Sequence, residues 1–164
     1  MGLFDRFFKR VDNGPIGISS PVAGRTADIS ALKDRSFSSG MLGEGILIYP
    51  TEGRIHAPFD GRIDLMFASS NAFSIVSNDG IEIFIHVGCN THELNGEGFK
   101  SLRQTDEAVR KGDLILEFDR LLLEDRGYDE TVMMYVTNAD EMSSLRALTD
   151  RQVAVWENVF EIRR

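Results

Sequence analysis

Three histidines and one cysteine are the side chains of this sequence best suited to nucleophilic or metal chemistry, and three of the four stand close together: His86, Cys89 and His92. His86 stands near the end of the run Gly80-Ile81-Glu82-Ile83-Phe84-Ile85-His86-Val87-Gly88, where it interrupts an almost continuous series of apolar residues. An imidazole changes charge near neutral pH and can serve as nucleophile, proton carrier or metal ligand. Set into an apolar strand, it must find a polar partner. A satisfied core histidine is the plain reading, and Gly88, which lets another backbone approach closely, favours a site. His56, between Ile55 and Ala57-Pro58 at a strand entry, reads as a packed or hydrogen-bonded structural residue with no chemistry. A hydrolytic zinc site normally takes three protein ligands and keeps one open position. No His-x-His pair occurs, so neither a metal nor a cofactor is expected. A swinging-arm carrier would need a lysine on an exposed hairpin tip, and Lys100 and Lys111 lack the flanking Met or Asp of such carriers.

The elements that must position these residues are strands. Short apolar runs over 45–49, 63–67, 73–76, 81–87, 113–118, 132–136, 153–156 and 159–162 are separated by glycines and turn formers, which leaves no room for crossover helices. An all-β antiparallel sandwich or barrel is expected. One helix is predicted over 139–148, with Asn138 as its cap and Met142, Leu145 and Leu148 on one face. Short helical turns are predicted near 121–125. Pro21-Val22-Ala23-Gly24-Arg25 returns 37 residues later as Pro58-Phe59-Asp60-Gly61-Arg62, each a Pro-led strand entry followed by a Gly-permitted turn. Val109-Arg110-Lys111-Gly112-Asp113 is a second strand-turn-strand device of the kind that recurs in barrel-sandwich folds.

The chain has 164 residues, enough for one sizeable core and one domain, with 18 basic against 26 acidic side chains and a net charge of -8. That balance repels phosphate backbones, so no nucleic acid is expected as a partner. A single cysteine excludes an intramolecular disulfide framework, and no basic, long-apolar leader opens the sequence, so a cytoplasmic setting is expected. Residues 1–19 read as an amphipathic tail and linker, and 20–164 as the main domain. In the tail, Leu3, Phe4, Phe7, Phe8 and Val11 share one helical face opposite Asp5, Arg6, Lys9 and Arg10. So short a helix needs a surface to form against, either its own domain, an oligomer partner or, through residues 1–11, weak peripheral contact with a membrane.

The stretch 80–91, with its glycine, apolar triplet, His86, apolar residue, Gly88 and Thr91, resembles the phosphorylation-site signature of the glucose-type enzyme IIA of the bacterial sugar phosphotransferase system. The likeness continues in order through Met1-Gly2-Leu3-Phe4-Asp5, Gly43-Glu44-Gly45-Ile46, Ala57-Pro58, Asp60-Gly61, Ala72-Phe73-Ser74-Ile75, Glu93-Leu94, Gly96-Glu97-Gly98-Phe99, Gly112-Asp113 and Glu117-Phe118-Asp119. The resemblance implies a barrel-sandwich hybrid with a duplicated hybrid motif, whose active histidine lies in a shallow apolar depression. It implies that His86 is the phosphoacceptor, rimmed by Phe37, Phe73 and Phe84. It implies the histidine-containing phosphocarrier protein as donor and a sugar-specific enzyme IIB as recipient, with permeases or kinases as docking partners. Neutral imidazole is a good nucleophile near pH 7, and its phosphoramidate stays reactive enough to pass the group on.

Three departures stand out. The family carries a second histidine before the Ala-Phe-Ser-Ile stretch, and here that position is Asn71, an amide that can donate to a phosphate oxygen but cannot shuttle a proton. Asn90 stands where an acidic residue is usual. His92 replaces a small apolar residue and could return an imidazole to the site. The expected function is a phosphocarrier that transiently carries phosphohistidine, with a relay-deficient regulatory interaction module as the alternative that Asn71 raises.

Overall fold

The computed structural model describes residues 14–32 and 42–164. The predicted tail helix over residues 1–11 and the rim residue Phe37 lie outside them. Among the described residues the chain is built from short antiparallel strands in three sheets, with very little helix. The strands are β1 Ile16–Ser19, β2 Gly24–Asp28, β3 Glu44–Pro50, β4 Arg54–His56, β5 Gly61–Met66, β6 Ala72–Ser77 and β7 Glu82–Val87. They continue as β8 Phe99–Ser101, β9 Ala108–Val109, β10 Leu114–Phe118, β11 Val132–Val136, β12 Ser144–Ala147, β13 Gln152–Val153 and β14 Asn158–Arg163. Among the described residues the α-helix Arg120–Asp125, α1, confirms the helical turn predicted near 121–125, with the Asp119 carboxylate accepting from the Leu122 N–H as its cap.

The large sheet runs β13-β2-β3-β11-β7-β6-β5-β9, and smaller sheets β1-β14-β12 and β4-β10-β8 complete the sandwich. This order is the same from either end once β2-β3 is matched to β5-β6, β11 to β7 and β13 to β9. Register agrees with that match. Gly24 pairs with Pro50 on one side and Val153 on the other, as Gly61 pairs with Ser77 and Val109. A Cβ on Gly24 would sit 2.2 Å from the Tyr49 carbonyl oxygen, and one on Gly61 2.1 Å from that of Val76. Asp106 and Asp150 both take positive φ, and their N–H groups donate to the carbonyls of Ile63 and Thr26 at 2.8 and 3.1 Å. The 37-residue echo is therefore a true structural duplication. The mate of 109–113 is 153–157, where Glu157 accepts from the Ala154 N–H as Asp113 accepts from that of Arg110.

The inner face of the large sheet alternates Ile46, Ile48, Ile63, Phe73, Ile75, Ile83, Ile85, Val132 and Met134 into the main core, against Ile55, Leu116, Phe160 and Ile162 from the small sheets. A second cluster lies on the outer face: Leu32, Leu47, Met133 and Tyr135, with Ile29, Leu42, Phe84 and Cys89 packed against it.

Three expectations need correction. Residues 139–148 hold only a 3-10 turn, Ala139–Glu141, followed by strand β12. Asn138 stands at the N-cap of that turn but makes no side-chain capping bond, because its amide accepts from the Glu82 N–H at 3.0 Å and donates to the Gly80 carbonyl at 2.9 Å, and β12 finds a long-range partner in β14. The strand predicted over 153–156 stops at Val153, since the turn closed by Glu157 carries Trp156 into solvent. Residues 16–19, read as linker, form β1 against β14.

Candidate active site

His86 sits on β7, flanked in register by Ala72 of β6 and Met133 of β11. Period-two alternation sends Ile83, Ile85 and Val87 into the main core and turns Phe84 and His86 to the outer face. The imidazole is 8% exposed. Burial pushes it down from its ordinary value to about 4, a hydrogen bond to the Gly88 backbone opposes this, and charge at His92 lowers it further. At neutral pH the ring is therefore uncharged and keeps a lone pair for nucleophilic attack.

Phe84 lies beside it, with ring centroids 6.1 Å apart, and Phe67 stacks obliquely on Phe84 at 5.7 Å. Leu65 and Phe67 are among the exposed large apolar residues, so the face next to His86 is apolar and open. Of the rim residues the resemblance implies, Phe84 stands on this face. Phe73 does not: it is fully buried in the main core. The reason is register. Ala72 stands opposite His86, so its neighbour Phe73 must face the other way. Phe67, which the sequence did not mark, takes that place because its N–H donates to the Ala72 carbonyl across the turn at 3.1 Å. Only the hairpin register carries this signal.

Asn71 is 1% exposed, and its amide makes one hydrogen bond at each end. Its oxygen accepts from the Ser69 hydroxyl, and Nδ2 donates to Thr91 Oγ1 at 3.0 Å. His92 stands exposed on the 3-10 turn Thr91–Leu94, near enough for its charge to act on His86. His56 lies apart on β4, with Nδ1 3.4 Å from the Pro21 carbonyl oxygen. A cavity of about 460 Å³ opens on the same outer face, lined by Leu32, Leu47, Tyr49, Cys89, Asn90 and Thr131. Among the described residues no group of three or more His, Cys, Asp or Glu could hold a metal ion, and no helix is long and apolar enough to cross a membrane.

Comparison with known proteins assigns the chain. The family model for the phosphoenolpyruvate-dependent sugar phosphotransferase system, EIIA 1, matches residues 16–142. The chain is 35% identical to the glucose-specific EIIA component of the PTS system of Haemophilus influenzae over the whole of both proteins. It is 38% identical to the beta-glucoside-specific EIIBCA component of Dickeya chrysanthemi, over 82% of this chain and 21% of that one. Glucose permease IIA from Mycoplasma capricolum superposes with a TM-score of 0.80 at 25% identity, covering 98% of this chain and 99% of its own. With its duplicated antiparallel sandwich and a signature histidine on the open face of the large sheet, the chain belongs to the EIIA family of the phosphoenolpyruvate-dependent sugar phosphotransferase system and is a phosphocarrier of that system.

Proposed function

We propose that His86 is the residue that carries the phosphoryl group, received from a phosphorylated histidine-containing carrier protein and passed to a sugar-specific enzyme IIB. The observation that carries this reading is a buried imidazole beside an open aromatic rim, a burial that lowers its pKa and favours the uncharged ring. In the accepting step the lone pair of the free ring nitrogen forms a new N–P bond. The donor's N–P bond breaks and its electron pair returns to the donor ring. Positive charge thereby leaves the donor imidazole and develops on the His86 ring. The Gly88 backbone, hydrogen-bonded to that ring, stabilises the cation as it forms. The apolar rim of Phe84, Phe67 and Leu65 docks the partner and excludes water while the atoms align in line. The enzyme IIB partner is supported by the EIIBCA relative, in which a region like this chain is part of one longer protein. Permeases or kinases would dock on the same rim. The setting is cytoplasmic, with residues 1–11 supplying weak peripheral contact with an anionic membrane.

The test is incubation with the phosphorylated carrier protein and detection of acid-labile label. Wild type and His56→Ala are expected to accept it, and His86→Ala to accept none. Label on His86→Ala would end the assignment.

A further inference from the structure

Resting on the reading of His86 as acceptor, we infer that Thr91 is a positioning residue, which through a directed hydrogen-bond chain from the β5–β6 turn fixes the tautomer of His86. Ser69 Oγ donates to Asn71 Oδ1, Asn71 Nδ2 donates to Thr91 Oγ1 at 3.0 Å, and Thr91 Oγ1 donates to the Val87 carbonyl at 2.6 Å. Each hydroxyl or amide hydrogen in this series is used once and points the same way, so each bond polarises the next.

The chain ends on the residue between His86 and Gly88. Val87 is held twice more at this corner, because its N–H donates to the Asn71 carbonyl at 2.9 Å and the next N–H, of Gly88, donates to the Thr131 carbonyl at 2.8 Å. Gly88 takes φ +70, and a Cβ there would lie 2.6 Å from Thr91 Cγ2, so the fully buried threonine packs directly on the glycine. Thr91 therefore grips residues 87 and 88 with its hydroxyl and its methyl together. The Gly88 backbone receives the His86 ring, so whatever sets the pose of Gly88 selects the ring nitrogen that keeps its hydrogen and the one that keeps the lone pair. A neutral imidazole in water exchanges tautomers freely. Here the nucleophile exists in one of them.

This assigns Asn71 as well. Its oxygen is held by Ser69 and one of its N–H groups by Thr91, so it acts as a strut in the chain.

The experiment is 15N-detected tautomer analysis of the His86 ring at neutral pH, paired with single-turnover phosphorylation by the carrier protein. Thr91→Val keeps the branched shape and removes the hydroxyl. It is expected to move the tautomer ratio of His86 about tenfold toward the other form and to slow acceptance about tenfold, consistent with the loss of one hydrogen bond. Thr91→Ser, which keeps the hydroxyl and gives up the methyl, is expected to restore most of both. Ser69→Ala shortens the chain at its less buried end and is expected to shift the ratio in the same direction by less. A wild-type tautomer ratio in both Thr91→Val and Ser69→Ala overturns the inference, as does a shift that Thr91→Ser fails to restore. The spectroscopic readout needs no phosphate, so it decides the role of Thr91 even where label on His86→Ala has shown the acceptor to be another residue.

Discussion

The β2-β3-β11 half and the β5-β6-β7 half of the large sheet share one plan, and at matched positions on its outer face one holds Tyr135 where the other holds His86. Matched neighbours differ in the same way: Gly45 lies beside Tyr135, and Ala72 beside His86. What separates the halves is their cover. Between β2 and β3 the chain runs through the 3-10 turn Ile29–Ala31 and Leu32, and these close over Tyr135 until none of it is exposed. Between β5 and β6 only residues 67–71 intervene, and Phe67, Phe84 and Leu65 stay accessible next to His86. Duplication thus supplied two equivalent outer faces, one closed over as a second apolar cluster and one left open to solvent.

If the duplication is real in energy as well as in register, its two paired glycines should fail alike. Gly24→Ala and Gly61→Ala each drive a Cβ to within about 2.2 Å of a backbone carbonyl oxygen that cannot swing aside. Both are expected to destabilise by more than about 3 kcal/mol, read by denaturant unfolding. One tolerated and one lethal substitution would break the equivalence of the halves.

The next effect separates them. His86 remains neutral down to about pH 4 in the folded chain, whereas unfolded histidine takes up a proton near its ordinary value of 6.5. Between these values the unfolded state binds more protons, so this contribution to stability is complete above pH 6.5 and is lost as pH falls through the window. It amounts to on the order of 3 kcal/mol. Unfolding curves at pH 7 and pH 4.5 should therefore lie further apart for wild type than for His86→Gln. Equal spacing in the two would show that the His86 side is not the strained member of the pair.

Matched positions also allow a graded comparison. Met133 and Phe84 are mates under the duplication, yet Met133 is fully buried and Phe84 partly open. Met133→Ala is expected to cost about 2 to 3 kcal/mol of stability. Phe84→Ala should cost about 1 kcal/mol, because part of the ring is already in water, and should weaken docking of the phosphorylated carrier about tenfold. A reversed order in stability would place the open face inside the core.

How far the sequence carries this picture depends on the range of the interactions. Alternation in 80–88 and the glycine punctuation are local, and they give β7, β11, β6 and the all-β class directly. The apolar spacing of Met142, Leu145 and Leu148 is also local, but it suits a helix and a strand beside β14 about equally, and the partner strand decides. The outward placement of His86 and Phe84 follows from the alternation of their strand, whereas Phe73 and Phe67 exchange places because the β6–β7 register sets Ala72 opposite His86. The Ser69-Asn71-Thr91 chain joins a turn to a loop 20 residues away and leaves no local mark. The repeat at 37 residues was visible only where proline and glycine keep their places. Its second copy, 106–113 against 150–157, shares the aspartate at positive φ and the terminal carboxylate but little between them.

The smallest expected effect tests the duplication at its margin. Ser19 and His56 are mates: the Ser19 N–H donates to the Pro58 carbonyl, and the His56 N–H to the Pro21 carbonyl. Their side chains have diverged. The His56 ring reaches the Pro21 oxygen, while Ser19 Oγ is buried without a hydrogen-bond partner among the described residues. A buried hydroxyl left unsatisfied lowers stability by the desolvation of that group, and replacing it with a methyl removes the penalty without opening a cavity. Ser19→Ala is therefore expected to raise stability by about 1 kcal/mol, and His56→Ala, which removes a ring that has a partner, to lower it. Chemical denaturation of the two variants against wild type checks the pair. A destabilised Ser19→Ala would mean that the hydroxyl is satisfied in solution, and that this pair of mates does the same work on both sides of the duplication.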